Sequence, residues 1–457
     1  MLQTALDALV RVLGGARRTR VILLLACVLA LSGADTATVG ASATELRHSL
    51  HINNTDIGLL VSVTSLVGAA ATLPFGILAD RVRRTWTLAG AIVFWGLAMI
   101  WSAAATSFGN LLLARLFLGA VTAAAGPLVA SLVGDAFSPN ERGRIYGWIL
   151  TGELIGVGFG FAVTGGIAAL SWRAAFVVLA LPAFALSFFV FRLPEPPRGR
   201  RSAEGETAGP TDAQRLAREK GVQPDPDLVV GRESYRMHLL DAVRYVLRIR
   251  TNVVLIASSA CGYYFLAGVE TFGLEFAKEQ YRVGQVVATA LLLVTGVGCV
   301  LGTLAGGTVG DWLLRRGRLD ARILVAAAAA VATTLLFVPA IFTRVSGTAV
   351  IALIAAGFAL SAQNPPIDAA RLDIMPPSLW GRAEAVRTFL RSMAQALAPL
   401  LFGAVSDYVF GGGRTGLQWT FVVMLLPLAA SAYLLFHALP TYPRDVATAA
   451  ASARADE

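Results

Sequence analysis

The sequence predicts an all-α membrane protein of twelve transmembrane helices arranged as two six-helix halves. Three observations predict it: apolar stretches of spanning length recur along the chain, charge collects in the gaps between them, and two short motifs occur once in each half. Of the 457 residues, 56% are hydrophobic and only 15% charged, with a mean hydropathy of +0.66. A soluble domain carries about a quarter of its residues as charges, so most of this surface is built to meet lipid.

Apolar runs and breakers place the spans near 19–44, 56–79, 85–107, 109–137, 142–170 and 173–193. After a polar insert they resume near 250–277, 284–314, 320–343, 346–374, 379–410 and 416–440. Each holds the roughly 20 residues that a hydrocarbon core of about 30 Å demands. The first run, Val21 to Ala43, is too long for the apolar part of a signal peptide and lacks a small-residue cleavage site, so it reads as a retained span. The chain therefore divides into an N-terminal half (1–193), a cytoplasmic linker (194–248), a C-terminal half (249–440) and a cytoplasmic tail (441–457). Within the linker, rich in Pro, Gly and charge, 211–220 and 234–248 are expected to form short surface helices.

The 38 Lys and Arg residues exceed the 29 acidic ones, a net charge of +9. Their placement excludes a nucleic-acid face, because they sit between spans. Arg11, Arg17, Arg18 and Arg20 precede the first span, Arg81, Arg83 and Arg84 follow the second, and Arg142 and Arg144 follow the fourth. Arg315, Arg316, Arg318 and Arg322 surround the turn after the eighth, whereas the opposite loops hold only Arg47, Arg173, Lys278, Arg282, Arg344 and Arg414. The positive-inside rule makes both termini cytoplasmic. Ala- and Arg-rich usage with two lysines suggests a bacterial inner membrane. Cys27, Cys261 and Cys299 lie far apart in apolar runs and the four histidines are scattered, so no metal site or disulfide framework is expected. No G-x4-G-K-[S/T] loop is present, which argues against ATP use, and no cofactor or enzymatic role is expected.

The first repeated motif is Gly76, Asp80 and Arg84, with Arg81 and Arg83 between; its copy is Gly307, Asp311 and Arg315, followed by Arg316. The second is Asp135, Pro139, Gly143 and Arg144, copied as Asp373, Pro377, Gly381 and Arg382. Two motifs in one order at nearly one offset indicate duplication. A glycine lets two helices approach closely, and an aspartate at the rim favours the positive end of a facing helix.

This combination resembles the major facilitator superfamily over essentially the whole chain. The resemblance implies that Asp80 and Asp311 latch the two halves on the inside while the motif arginines pair with Asp135 and Asp373. The copies depart from the family pattern in having Arg83 at the usual second glycine and Trp312 where the first copy has Arg81.

Asp35, Arg115, Glu153 and Glu270 lie well inside predicted spans. A charge at a helix centre costs at least about 2.5 kcal/mol, so each needs a partner or a wet cavity. Asp35, Arg115 and Glu270 share a depth, seven or eight residues in from the outer ends. In the fold this chain resembles, spans 1, 4, 7 and 10 line the central cavity, so Asp35 and Arg115 could pair in one state and part in another. A carboxylate released from its arginine in a low-dielectric cavity favours taking a proton. Gly152, Gly156 and Gly160, and Gly298, Gly302 and Gly306, suit close helix crossings. Asn364-Pro365-Pro366 is expected to break the tenth span and free backbone groups to line a wet path, and Thr55 to cap the second.

Within the superfamily, Asp35, Arg115 and the Pro377, Gly381, Arg382, Ala383 turn resemble Spinster-like carriers of lysophospholipids and sphingoid lipids; Thr122 stands where such proteins often carry a glutamate. The resemblance implies a monomeric, proton-coupled secondary transporter working by alternating access on an amphiphile, with the bilayer, the solute and protons as its partners. A drug–proton antiporter, an importer of organic anions and a non-transporting receptor or scaffold are the alternatives.

Overall fold

The computed structural model describes residues 15–79, 82–137, 139–195, 211–230, 239–344, 346–376 and 379–456. Twelve of its helices are long and apolar enough to cross a membrane. They pack into two compact units. The first comprises residues 1–205 with 270–275 and 284–289, the second 206–269, 276–283 and 290–457.

The first unit opens with α1 (Ala16–Ala41), α2 (Ala43–Leu50), α3 (Asn54–Ala79) and α4 (Arg84–Ala103). It continues through α5 (Phe108–Thr122), α6 (Ala125–Ala136), α7 (Pro139–Phe159), a π turn (Gly160–Thr164), α8 (Gly165–Ala168) and α9 (Trp172–Phe191). Small polar residues set the starts. Ser107 and Ser171 accept from the backbone N–H groups of Asn110 and Ala174. At α3 the cap is Asn53 rather than Thr55: Asn53 Oδ1 accepts from Asp56 N and Asp56 Oδ2 accepts from Asn53 N, a reciprocal box that starts the helix two residues earlier. The glycines of the fifth span do what their spacing implies. A Cβ at Gly152, Gly156 or Gly160 would overlap the α1 backbone at Ala26, Ala30 or Ala34.

The second unit holds α10 (Asp212–Glu219), a 3₁₀ turn (Pro226–Leu228), α11 (Leu239–Arg248), α12 (Arg250–Tyr281), α13 (Gln285–Arg315) and α14 (Ala321–Phe342). Then come α15 (Ser346–Ala362), α16 (Asn364–Asp373), α17 (Trp380–Ala404), a π turn (Val405–Val409), α18 (Gly413–Ala438) and α19 (Tyr442–Asp456). Gly298, Gly302 and Gly306 bring α13 against the carbonyls of Ile354, Phe358 and Ala362, and a Cβ at Gly307 would touch Pro365.

Two elements differ from the expectation of surface helices and a tail. The linker helix α10 buries Ala213, Gln214 and Ala217 completely, and α19 buries Tyr442, Val446 and Ala447 in the same core as Ala326, Ile367 and Leu435. Arg218 Nη2 of α10 donates to Ala450 O of α19 (2.7 Å), and the linker that follows α10 adds Asp225 N to Thr448 Oγ1 (2.8 Å) and Val230 N to Ser452 Oγ (3.0 Å). At 8 and 15 residues both segments are long enough to dock but too short to span.

The duplication extends beyond the two motifs. The fourth span breaks at Ala123–Ala124 and the tenth at Gln363, just before Pro127 and Pro365, which stand 238 residues apart like Asp135 and Asp373. The fifth and eleventh spans each carry a π turn in their second half. The break at Asn364-Pro365-Pro366 is slight: Gln363 keeps a helical backbone, and the prolines occupy the first turn of α16, where a missing N–H costs little.

Candidate functional site

In the first unit α1 and α5 bring Asp35 and Arg115 together. Arg115 Nη1 donates to Asp35 Oδ1 at 2.7 Å, and the side chains are only 7% and 1% exposed. The Arg115 guanidinium lies over the Phe176 ring of α9, 4.9 Å from its centroid. Its Nε and Nη2 are buried without a hydrogen-bond partner. One carboxylate oxygen thus serves a fork of five N–H donors. Removing either member of such a pair leaves an uncompensated buried charge, at about 3–5 kcal/mol.

Glu270 and Glu153 do not join this pair by any direct bond to Arg115. Glu153 is exposed, Glu270 is half-buried, and the two carboxylates are near enough to repel each other. A further ion pair in this unit escaped the sequence reading. Arg47, on α2, contacts Glu275, which is 2% exposed, while its Nη1 donates to Asn54 Oδ1 at 2.8 Å. Glu275 lies five residues beyond Glu270, near the end of a 32-residue helix whose apolar pattern alone does not show where it turns polar.

The latch motifs are described in part. Gly76 lies in the last turn of α3 and Asp135 near the end of α6, but Asp80, Arg81 and the Asp135 side chain fall outside the described residues. Arg84 donates its Nε to Glu195 at 3.0 Å and its Nη1 to Ser131 Oγ at 2.9 Å, and the pairing expected with Asp135 falls on a side chain outside the described residues. In the second copy Asp373 is held by Arg322 rather than by Arg315 or Arg316. Arg322 Nη1 contacts Asp373 Oδ2 and its Nη2 donates to Asp311 Oδ1 at 2.9 Å, while Arg315 and Arg316 are exposed and Arg316 stacks on Trp312. Arg322 opens α14 across the turn, where a seven-residue separation hides it from a spacing rule centred on the motif. Tyr442 Oη also donates to Asp373 Oδ2 (2.6 Å), and Gln214 Nε2 donates to its carbonyl (3.0 Å), so the linker and tail helices close over the motif.

The tenth and eleventh spans carry a charge ladder that the sequence reading missed. Arg371 of α16 donates to Glu384 Oε2 of α17 at 3.2 Å, and Arg387 Nη1 of α17 contacts Asp368 Oδ1 of α16. The arginine side chains are 4% and 8% exposed, the carboxylates 43% and 47%. The signal was the spacing: Asn364, Asp368 and Arg371 recur at four and three residues, Glu384, Arg387 and Arg391 at three and four, which puts each trio on one helix face. Near predicted span ends these charges pass for rim residues. Of the residues expected at the site, Asn364 belongs to this face.

Twelve candidate spans, a duplicated plan and buried ion pairs inside them define a multi-pass membrane protein built from two related halves. The chain belongs to the Major Facilitator Superfamily, whose sequence pattern matches residues 25–350. It is 28% identical over 163 residues to the probable L-galactonate transporter of Escherichia coli, covering 35% of this chain and 36% of that protein. It is 20% identical over 387 residues to protein spinster of Drosophila melanogaster, covering 82% of this chain and 60% of the other. The chain thus spans about a third and three fifths of these two relatives. Among solved structures, a bacterial homologue of the human lysosomal transporter Spinster, inward-facing and unoccupied, superposes with a TM-score of 0.76 over 94% of this chain and 98% of that one, at 18% identity. That likeness is one of fold.

Proposed function

We propose that this protein is a secondary transporter that works by alternating access, couples transport to protons through Asp35, and moves an amphiphilic solute such as a lysophospholipid. The observation that carries the reading is the buried Asp35–Arg115 pair, a salt bridge whose guanidinium keeps two unsatisfied nitrogens in an apolar surround. Such a pair is expensive to hold and easy to exchange: a competing anion on Arg115 frees Asp35, and protonation then spares a buried negative charge. The sequence likeness to protein spinster supports a Spinster-type solute, whose class is the one implied by the resemblance at Asp35, Arg115 and the Pro377 turn. Both termini face the cytoplasm of a bacterial cell in this reading, and a single chain is the working unit. A second reading, import of an organic anion, is favoured by the arginines of α16 and α17 and by the likeness to a galactonate transporter.

Reconstituted into proteoliposomes, Asp35→Asn is expected to melt lower than the wild type, because Arg115 is left as an uncompensated buried charge, and to lose gradient-driven uptake of lysophospholipid while still folded. Unchanged pH-dependent transport in that variant would remove Asp35 from coupling. Absence of solute movement in the wild type under any gradient would favour a receptor or scaffold.

A further inference from the structure

The ladder between α16 and α17 has a regular antiparallel register. Arg371 faces Glu384, and one step along Asp368 faces Arg387. The next step brings Asn364 level with Arg391. Successive rungs three or four residues apart stand about 5–6 Å from one another, so the third adjoins the second directly. Unlike the first two, it is not closed by a bond. Among the described residues no carboxylate lies within ion-pair distance of Arg391, whose guanidinium rests over the Tyr263 ring of α12, 4.3 Å from the centroid. Arg391 Nε and Asn364 Oδ1 are buried without partners. Beside them Gln363, fully buried, leaves both its amide nitrogen and its amide oxygen unsatisfied, with its nitrogen against Gly262 of α12.

Charge counting points the same way. Arg371, Arg387 and Arg391 carry three positive charges against the two of Asp368 and Glu384, so the ladder has one cation in surplus, and it is the one at the open rung. A buried amide with neither group bonded costs roughly 1–3 kcal/mol per group, and a polar cluster is kept in that state where a ligand completes it.

We propose that the open rung is a binding site for a singly charged oxyanion, a carboxylate or a phosphodiester. Arg391 supplies the charge-assisted fork and Gln363 an N–H donor, while Tyr263 walls the site from α12. Glu384 and Asp368 neutralise the two inner arginines, which confines recognition to one negative charge and disfavours dianions. The proposal deepens the transport reading by naming the charged group of the solute, and it rests on that reading only for the steps after binding.

The test titrates the purified full-length protein in a neutral detergent and monitors intrinsic tryptophan fluorescence. Lysophosphatidylglycerol is compared with 1-monooleoylglycerol, and D-galactonate with D-galactose, so that a lipid and a free acid are separate arms. At least one anion is expected to bind more tightly than its uncharged counterpart, and Arg391→Gln to weaken that binding about tenfold or more. Arg391→Lys should recover part of the loss. Gln363→Leu, which keeps every charge, should weaken it severalfold and decides the matter if Arg391→Gln does not fold. Transport is assayed separately in Asp35→Asn, so that a coupling defect there bears on the transport reading and not on the open rung. Binding within twofold of wild type in folded Arg391→Gln, or no preference for either anion over its neutral counterpart, overturns the site.

Discussion

Glu195 lies four residues past the end of the sixth span, yet it holds the start of the third. Its carboxylate accepts from Arg84 N (3.0 Å), Thr85 N (3.2 Å), Thr85 Oγ1 (2.9 Å) and Arg84 Nε (3.0 Å), taking the place of the side-chain cap that α4 lacks. Burial pushes this carboxyl up, but the Arg84 and Thr85 hydrogen bonds outweigh it and the pKa falls below its ordinary 4.5. A carboxylate so placed stabilises both the orphan N–H groups and the positive helix end. Because the folded state holds the proton less tightly, the contribution is complete above pH 4.5 and is lost as pH falls through the lowered value. Glu195→Gln is therefore expected to cost about 1–2 kcal/mol at neutral pH. Melting curves of mutant and wild type should converge as the medium is acidified below pH 4.5, and a gap independent of pH would refute the charged cap. Arg84 was legible as a motif residue, and its partner was not: Glu195 is 111 positions away, and no local pattern announces such a pairing.

At the scale of elements, glycine spacing was a sound guide. Gly152, Gly156 and Gly160 recur every fourth residue, which places them on one face of the fifth span, and that face meets the α1 backbone. Gly156→Val should destabilise the first unit by about 1–3 kcal/mol or prevent its folding, because the added atoms meet main chain that has nowhere to go. Gly166→Ala, where a Cβ meets nothing within 4 Å, should be silent. Fluorescence-detected size exclusion with a thermal ramp measures both, and equal tolerance of the two changes would contradict the packing. The charge ladder shows the opposite case. Its members were visible at helical spacing, but whether a stripe of charge near a span end faces water or another helix depends on the neighbour. Only the antiparallel register of α16 and α17 turns two stripes into rungs.

For the whole molecule, the duplicated motifs set the plan, and the paired helix breaks before Pro127 and Pro365 and the paired π turns agree with them. Six spans repeated in parallel return the chain to its starting side, and the arginine distribution predicts that this side is the cytoplasm. Alkaline phosphatase fused after Glu457 should be inactive in Escherichia coli and green fluorescent protein fused there should fluoresce, whereas a fusion in the loop after Thr343 should show the reverse. Active phosphatase at the C-terminus would overturn the topology.

By itself the sequence determined the number of spans, their duplication and the need of Asp35 and Arg115 for a partner or a wet cavity, because lipid leaves its demands in composition: length, apolarity and the rarity of charge are local properties of a segment. The tertiary structure alone decided the partners of Arg84, Asp373 and Arg391, and the docking of α10 on α19. These depend on which helix face meets which neighbour at what register, a property of two segments at once that neither carries alone.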